Sequence, residues 1–150
     1  MESYNNNFDK NKSKLLKDDE FISKTKEAMH FARLGNFHSS EKIFKELISK
    51  SKYDHLTLHR LAGISLRLGK HNQYLYYLKE TIKCKKDYGE AYAELGNYLK
   101  KIGQIKNALN YFHMALKFAP NLYGVYINIG NIFSDLERNE EALKNYKKAL

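Results

Sequence analysis

The long cations come first, because they recur. Arg33, Arg67 and Lys101 follow one another at intervals of 34 residues, and Lys26, Arg60 and Lys100 stand beside them. On helices of equal length such a column becomes a ladder of guanidinium and ammonium donors. Its chemistry is the capture of carboxylates, by forked N–H donors from arginine and by point charge from lysine. The competing reading is a set of solvated cations on outward helix faces. A second column, Asn97 and Asn131 with Asn128 beside it, offers amides that can hold the backbone of an extended peptide. Met29, Leu56, Leu66 and Ile127 add apolar contacts. His59 follows His55 by four residues, the spacing at which two imidazoles on one helix face the same metal. No cysteine or carboxylate is placed to close that site, so the pair reads as a polar groove edge and no metal is expected.

Catalytic chemistry is thinly represented. The chain has no glycine-rich phosphate loop, no Gly-x-Ser-x-Gly elbow and no Cys/His cluster. Neither an enzyme nor a cofactor is expected. The tyrosines Tyr74, Tyr77, Tyr92, Tyr111, Tyr126 and Tyr146 recur at helical spacing, which reads as inter-helix packing rather than as a platform for stacked bases.

These residues need a scaffold that returns every 34 positions, and the sequence supplies one. The copy from Gly89 to Leu122 carries Tyr92, Leu95, Gly96, Leu99, Ala108, Phe112, Ala115 and Pro120. The next, from Tyr123, carries Tyr126, Ile129, Gly130, Phe133, Ala142, Tyr146 and Ala149. The preceding one, from His55, carries Leu58, Leu61, Ala62, Leu68, Gly69, Tyr74, Leu78 and Thr81. The first, from near Phe21, carries Ala28, Phe31, Leu34, Gly35, Phe44 and Leu47. Ala28, Ala62, Gly96 and Gly130 are small where a second helix must approach. Gly35, Gly69 and Gly103 follow a helix, where a left-handed cap favours glycine, and Glu137 stands in that place in the last copy. Pro120 stops a helix; its counterparts are Lys52 and Lys86, where softer or slightly longer helices are expected.

Helices are predicted over residues 20–34, 37–51, 55–68, 71–84, 89–102, 105–118, 123–136 and 139–150, with Asp18 or Asp19 as the first N-cap. Their connections are short, so neighbours must be antiparallel.

The pattern Tyr-x2-Leu-Gly-x2-Leu, Ala-x3-Phe and Pro at this period resembles the tetratricopeptide repeat, from Phe21 onward. The resemblance implies an all-α, right-handed α-solenoid of antiparallel helix pairs. A polar, disordered leader (1–19) would precede an array (20–150) of units 21–54, 55–88, 89–122 and an incomplete 123–150. It also implies a concave groove lined by the first helix of each pair, and protein binding as the function. The groove set is then Lys26, Met29, Arg33, His59, Arg60, Arg67, Asn97, Lys100, Lys101, Asn128 and Asn131.

Chaperone-binding members of the family grip a terminal carboxylate with a set of lysine, asparagine and arginine residues. The matching places here hold Thr25, Met29, Arg60, Glu90 and Glu94, or, one copy later, His59, Gly63, Glu94, Gly124 and Asn128. Neither set is that clamp, so tight binding of an acidic chaperone tail is not expected. The runs Leu95–Asn97 and Asn128–Asn131 resemble the repeats ahead of the catalytic domain in O-linked N-acetylglucosamine transferases, which leaves open a substrate-selecting arm of a longer enzyme. A small secretion-type chaperone is a third reading.

The net charge is +9, concentrated in residues 55–88, whereas the charges of 123–150 balance. This favours an acidic protein or peptide partner. Nucleic acid is not expected, because Glu90 and Glu94 interrupt the groove and no nucleic-acid motif is present. No apolar run approaches a membrane span, and the N-terminus lacks the apolar segment of a secretory signal. Cys84 is the single cysteine, expected half-buried on a helix, and a cytoplasmic setting follows. Tyr146, Ala149 and Leu150 would leave an apolar face open at the last helix, which predicts self-association there or a longer chain.

Overall fold

A computed structural model of the chain describes the backbone of residues 5–50 and 54–150 and the side chains of 18–49 and 54–150. Regular structure among the described residues is helical throughout: α1 (Asn5–Arg33), α2 (Phe37–Lys50), α3 (His55–Arg67), α4 (His71–Cys84), α5 (Gly89–Lys101), α6 (Ile105–Phe118), α7 (Tyr123–Asp135) and α8 (Asn139–Lys148). Every helix after the first begins at the expected residue. α1 starts far earlier, at Asn5, and Asp18 and Asp19 lie inside it rather than capping it. No glycine or proline interrupts Asn5–Arg33, so nothing in the backbone chemistry stops the helix on its N-terminal side. Residues 1–4 of the expected leader lie outside the described residues.

One turn recurs at the ends of α1, α3, α5 and α7. Gly35, Gly69 and Gly103 take φ of 76°, 70° and 79°, and Glu137 takes 58°. At each, two backbone bonds close the helix. Gly69 N–H donates to Leu66 O at 3.0 Å and Lys70 N–H to Ser65 O at 2.8 Å; Glu137 and Arg138 repeat the pair onto Ser134 and Phe133 at 2.9 and 2.8 Å. This is the double bond of a Schellman motif, which satisfies carbonyls that the helix end leaves bare. At the start of α3, Asp54 accepts from the backbone N–H groups of Leu56 and Thr57, both at 3.1 Å, an N-cap that fixes where that helix begins.

The chain divides into two compact units, Met1–Tyr74 and Leu75–Leu150, with the boundary inside α4. In the first, Ala28 of α1, Phe44 and Leu47 of α2 and Leu61 and Ala62 of α3 are fully buried. Burial of one Phe or Leu side chain contributes roughly 1.5–3 kcal/mol. Ser65 stays inside this apolar setting because its hydroxyl donates to Leu61 O at 2.8 Å.

In the second unit Ala108, Phe112 and Ala115 of α6 pack with Val125, Ile129 and Ile132 of α7, and Tyr92 of α5 joins them. Tyr92 lies against the Tyr111 and Phe118 rings, with centroids 6.3 and 5.4 Å away, and donates to Lys86 O at 3.0 Å. Tyr92 of α5 therefore packs against α6, the inter-helix packing expected of the recurring tyrosines, and burial pushes this phenol above its usual range.

The small residues do what close crossing requires. A Cβ at Gly96 would stand 2.6 Å from the Phe112 ring, and one at Gly130 would stand 2.5 Å from Tyr146 Cε1. Helices α5 and α6, and likewise α7 and α8, pair as closely as they do because no side chain stands there.

The helix before Lys86, where no proline stands, is no longer than the helix before Pro120. α4 stops at Cys84, in register with the stop of α6 at Phe118 before Pro120; Lys52 lies outside the described residues. Cys84, expected half-buried, is exposed, being the last residue of its helix.

Candidate functional site

In the first unit, α1 and α3 bring one cluster of the expected residues to a common surface. Met29 and Arg33 stand one helical turn apart on α1, and Arg60 and Arg67 two turns apart on α3. All four line one pocket of about 420 Å³, with Ala32 and Gly63 between them. Its base is apolar: Phe37 and Phe44 from α2 and Ile64 from α3, of which Phe44 and Ile64 are buried. Arg33 and Arg67 are exposed and Arg60 is half-buried. Among the described residues none of the ion pairs found involves these three arginines. Arg60, half-buried beside the apolar lining, attracts a carboxylate through a less screened medium than water, and the exposed Arg33 and Arg67 add weaker, solvent-screened attraction.

The frame under the pocket is braced by charge. Glu41 of α2 is almost wholly buried, and its carboxylate accepts from Lys70 Nζ at 2.7 and 2.8 Å and pairs with Lys45 Nζ at 2.9 Å. Burial would raise its pKa, but the hydrogen bonds and charges of Lys70 and Lys45 together outweigh that and hold it below the usual 4.5. Lys24 of α1 reaches Glu46 of α2 at 2.5 Å, which ties α1 to α2 as Lys70 ties α2 to the turn after α3.

Other expected residues of this unit fall elsewhere. Lys26 is exposed on α1 and His59 half-buried on α3, and neither lines the pocket. Leu56 and Leu66 are also off it. His55 and His59 are not joined by a third ligand: among the described residues no group of three His, Cys, Asp or Glu side chains is placed to hold a metal.

The second unit holds the asparagines, and they are already engaged. Lys100 Nζ donates to Asn128 Oδ1 at 2.7 Å, and Asn128 Nδ2 donates to Asn97 Oδ1 at 2.9 Å. The Tyr146 hydroxyl donates to Asn131 Oδ1 at 2.8 Å. The acceptor ends of all three amides are thus used within the fold, and the Nδ2 groups of Asn97 and Asn131 are the ends turned to other work. Lys101 is exposed on α5, outside this network.

Sequence reasoning missed Ala32, Phe37, Phe44, Gly63 and Ile64 as pocket residues. A signal for one of them existed. Met29, Gly63, Asn97 and Asn131 occupy the same place in successive copies, and only at Gly63 is the inward side chain missing.

Similarity to known proteins agrees with this architecture. The family profile described as tetratricopeptide repeat matches residues 89–122 and 123–150. A UDP-N-acetylglucosamine--peptide N-acetylglucosaminyltransferase of Giardia intestinalis is 29% identical over 90 residues, 58% of this chain, and the chain spans 6% of that relative's length. The crystal structure of MamA superposes with a TM-score of 0.75 at 19% identity, over 91% of this chain and 81% of that one. A tetratricopeptide repeat protein from Parabacteroides merdae gives 0.75 at 17% identity, over 87% and 52%. Residues 89–150 thus match the tetratricopeptide repeat, and the turn that recurs at the same interval back to Gly35 continues the same pattern of paired helices through the earlier part of the chain.

Proposed function

We propose that the chain is a non-catalytic, cytoplasmic scaffold that binds an acidic segment of a partner protein. Tetratricopeptide repeat proteins in general serve protein interaction. The observation that carries the narrower reading is the pocket of the first unit, where Arg33, Arg60 and Arg67 surround an apolar base formed by Phe37, Phe44 and Ile64. Cations supply attraction and register for carboxylates, and the base supplies apolar area, the division of labour found in tight peptide sites. In the second unit the Nδ2 groups of Asn97 and Asn131 offer separate contacts for a peptide backbone. The test is a pull-down with the whole chain, repeated with Arg33→Glu and Arg67→Glu together. Partners that carry acidic segments should be lost from the double variant. An unchanged set of partners would remove the arginines from the function.

A second reading rests on the 29% identity to the Giardia transferase, whose name records transfer to peptides. The chain would then be an arm that selects protein substrates for a longer enzyme. The native reading frame past Leu150 decides it: a following catalytic domain supports this reading, and a stop codon removes it.

A further inference from the structure

The pocket of the first unit contains one residue that fold stability alone does not explain. Glycine inside a helix costs about 1 kcal/mol relative to alanine. At Gly96 and Gly130 a neighbouring ring leaves no room for a Cβ. Gly63 lies in the interior of α3, and a Cβ added there would meet nothing within 4 Å. Gly124 is also open, but it is the second residue of α7, at a helix end. Gly63 therefore keeps an opening rather than a contact, and that opening is the pocket between Met29, Arg33, Arg60 and Arg67.

We propose that this opening is an anchor site for an aromatic side chain flanked by carboxylates, and that Gly63 sets its specificity by leaving the space unfilled. The inference rests on the acidic-segment reading above and narrows it. The lining favours an aromatic ring over an aliphatic chain. Phe37 lines it partly exposed, with Phe44 buried behind the lining, and aromatic pairs gain from edge and offset contacts beyond their area. The Met29 thioether makes favourable contact with ring edges. Arginine stacks on aromatic faces while its fork holds a carboxylate, so Arg33, Arg60 and Arg67 serve both halves of such a motif. The volume of about 420 Å³ lies within the span of roughly 300–1,000 Å³ usual for ligand pockets.

The test uses capped synthetic peptides in which Trp, Leu or Ala stands between two pairs of Glu, titrated into the whole chain. The protein has no tryptophan, so emission from the peptide reports its own environment. The Trp peptide should bind about tenfold tighter than the Ala peptide, with a blue shift on binding. Gly63→Leu should abolish both the preference and the shift. Gly63→Ala should reduce the preference in part, and serves if the leucine variant does not fold. Equal binding of the Trp and Ala peptides would overturn the proposal, as would tighter binding of the Leu peptide or a preference that survives Gly63→Leu. If all three bind equally and Arg33→Glu with Arg67→Glu weakens them alike, the anchor site falls and the acidic-segment reading stands. If none binds, both fall.

Discussion

Glu137 sits at φ 58°, in a backbone region that three glycines occupy in the equivalent turns. A side chain there carries a steric cost of roughly 1–2 kcal/mol, and glycine avoids it at a smaller entropic cost. Glu137→Gly should therefore raise stability by about 0.5–1 kcal/mol, read by urea denaturation; no gain, or a loss, would mean that the carboxylate does something in that turn that the backbone argument omits. Glu41 gives a pH dependence. Its pKa lies below 4.5 in the folded chain. Its contribution is thus present above the ordinary carboxylate range and is lost as pH falls through the lowered value. Denaturation midpoints from neutral pH downward should fall in the native chain and fall less in Glu41→Gln. At neutral pH Lys70→Met should cost on the order of 1–2 kcal/mol, because it strips the buried carboxylate of its closest donor. Parallel acid profiles for the native chain and Glu41→Gln would dismiss that role.

The glycines within helices separate two jobs that the sequence writes with one letter. Gly96→Ala should cost about 1–3 kcal/mol by driving a methyl into Phe112, whereas Gly63→Ala should gain up to about 1 kcal/mol. Equal effects at both positions, measured by thermal denaturation, would contradict the packing described. The helices were legible for a physical reason. A left-handed turn residue and a fixed period of 34 residues pin every start from Phe37 to Asn139. The start of α1 was not, because a polar run without a breaker reads the same inside a helix as outside one. Met29 with Arg33 and Arg60 with Arg67 were each legible as one helix face, since helical spacing groups them, and the period of 34 residues relates the two faces. The pocket they share was not, because its shape depends on what Gly63 and Ala32 lack and on how near α2 passes. The engagement of Asn128 with Asn97 and Lys100 was equally hidden, since it depends on the distance between α5 and α7.

At the scale of the whole molecule, charge and exposed apolar surface set the behaviour in solution. No helix among the described residues is long and apolar enough to cross a membrane. Tyr146 and Ala149, expected to stand open, are half-buried, Tyr146 through its bond to Asn131, whereas Leu143 on α8 is exposed. Sedimentation should accordingly show association that grows with concentration and is weakened by Leu143→Glu; a strict monomer at high concentration would contradict it. The net charge of +9, with its excess in residues 55–88, should speed encounter with acidic partners and make their binding sensitive to salt. The most direct test is calorimetric titration of the whole chain with a capped Glu-rich peptide at low and at physiological salt, beside the Arg33→Glu, Arg67→Glu variant. The native chain should bind, weaken as salt rises, and lose at least about tenfold in affinity together with most of that salt dependence in the variant. Equal affinity and an equal salt response in the two proteins would contradict recognition of carboxylates by the arginine pocket.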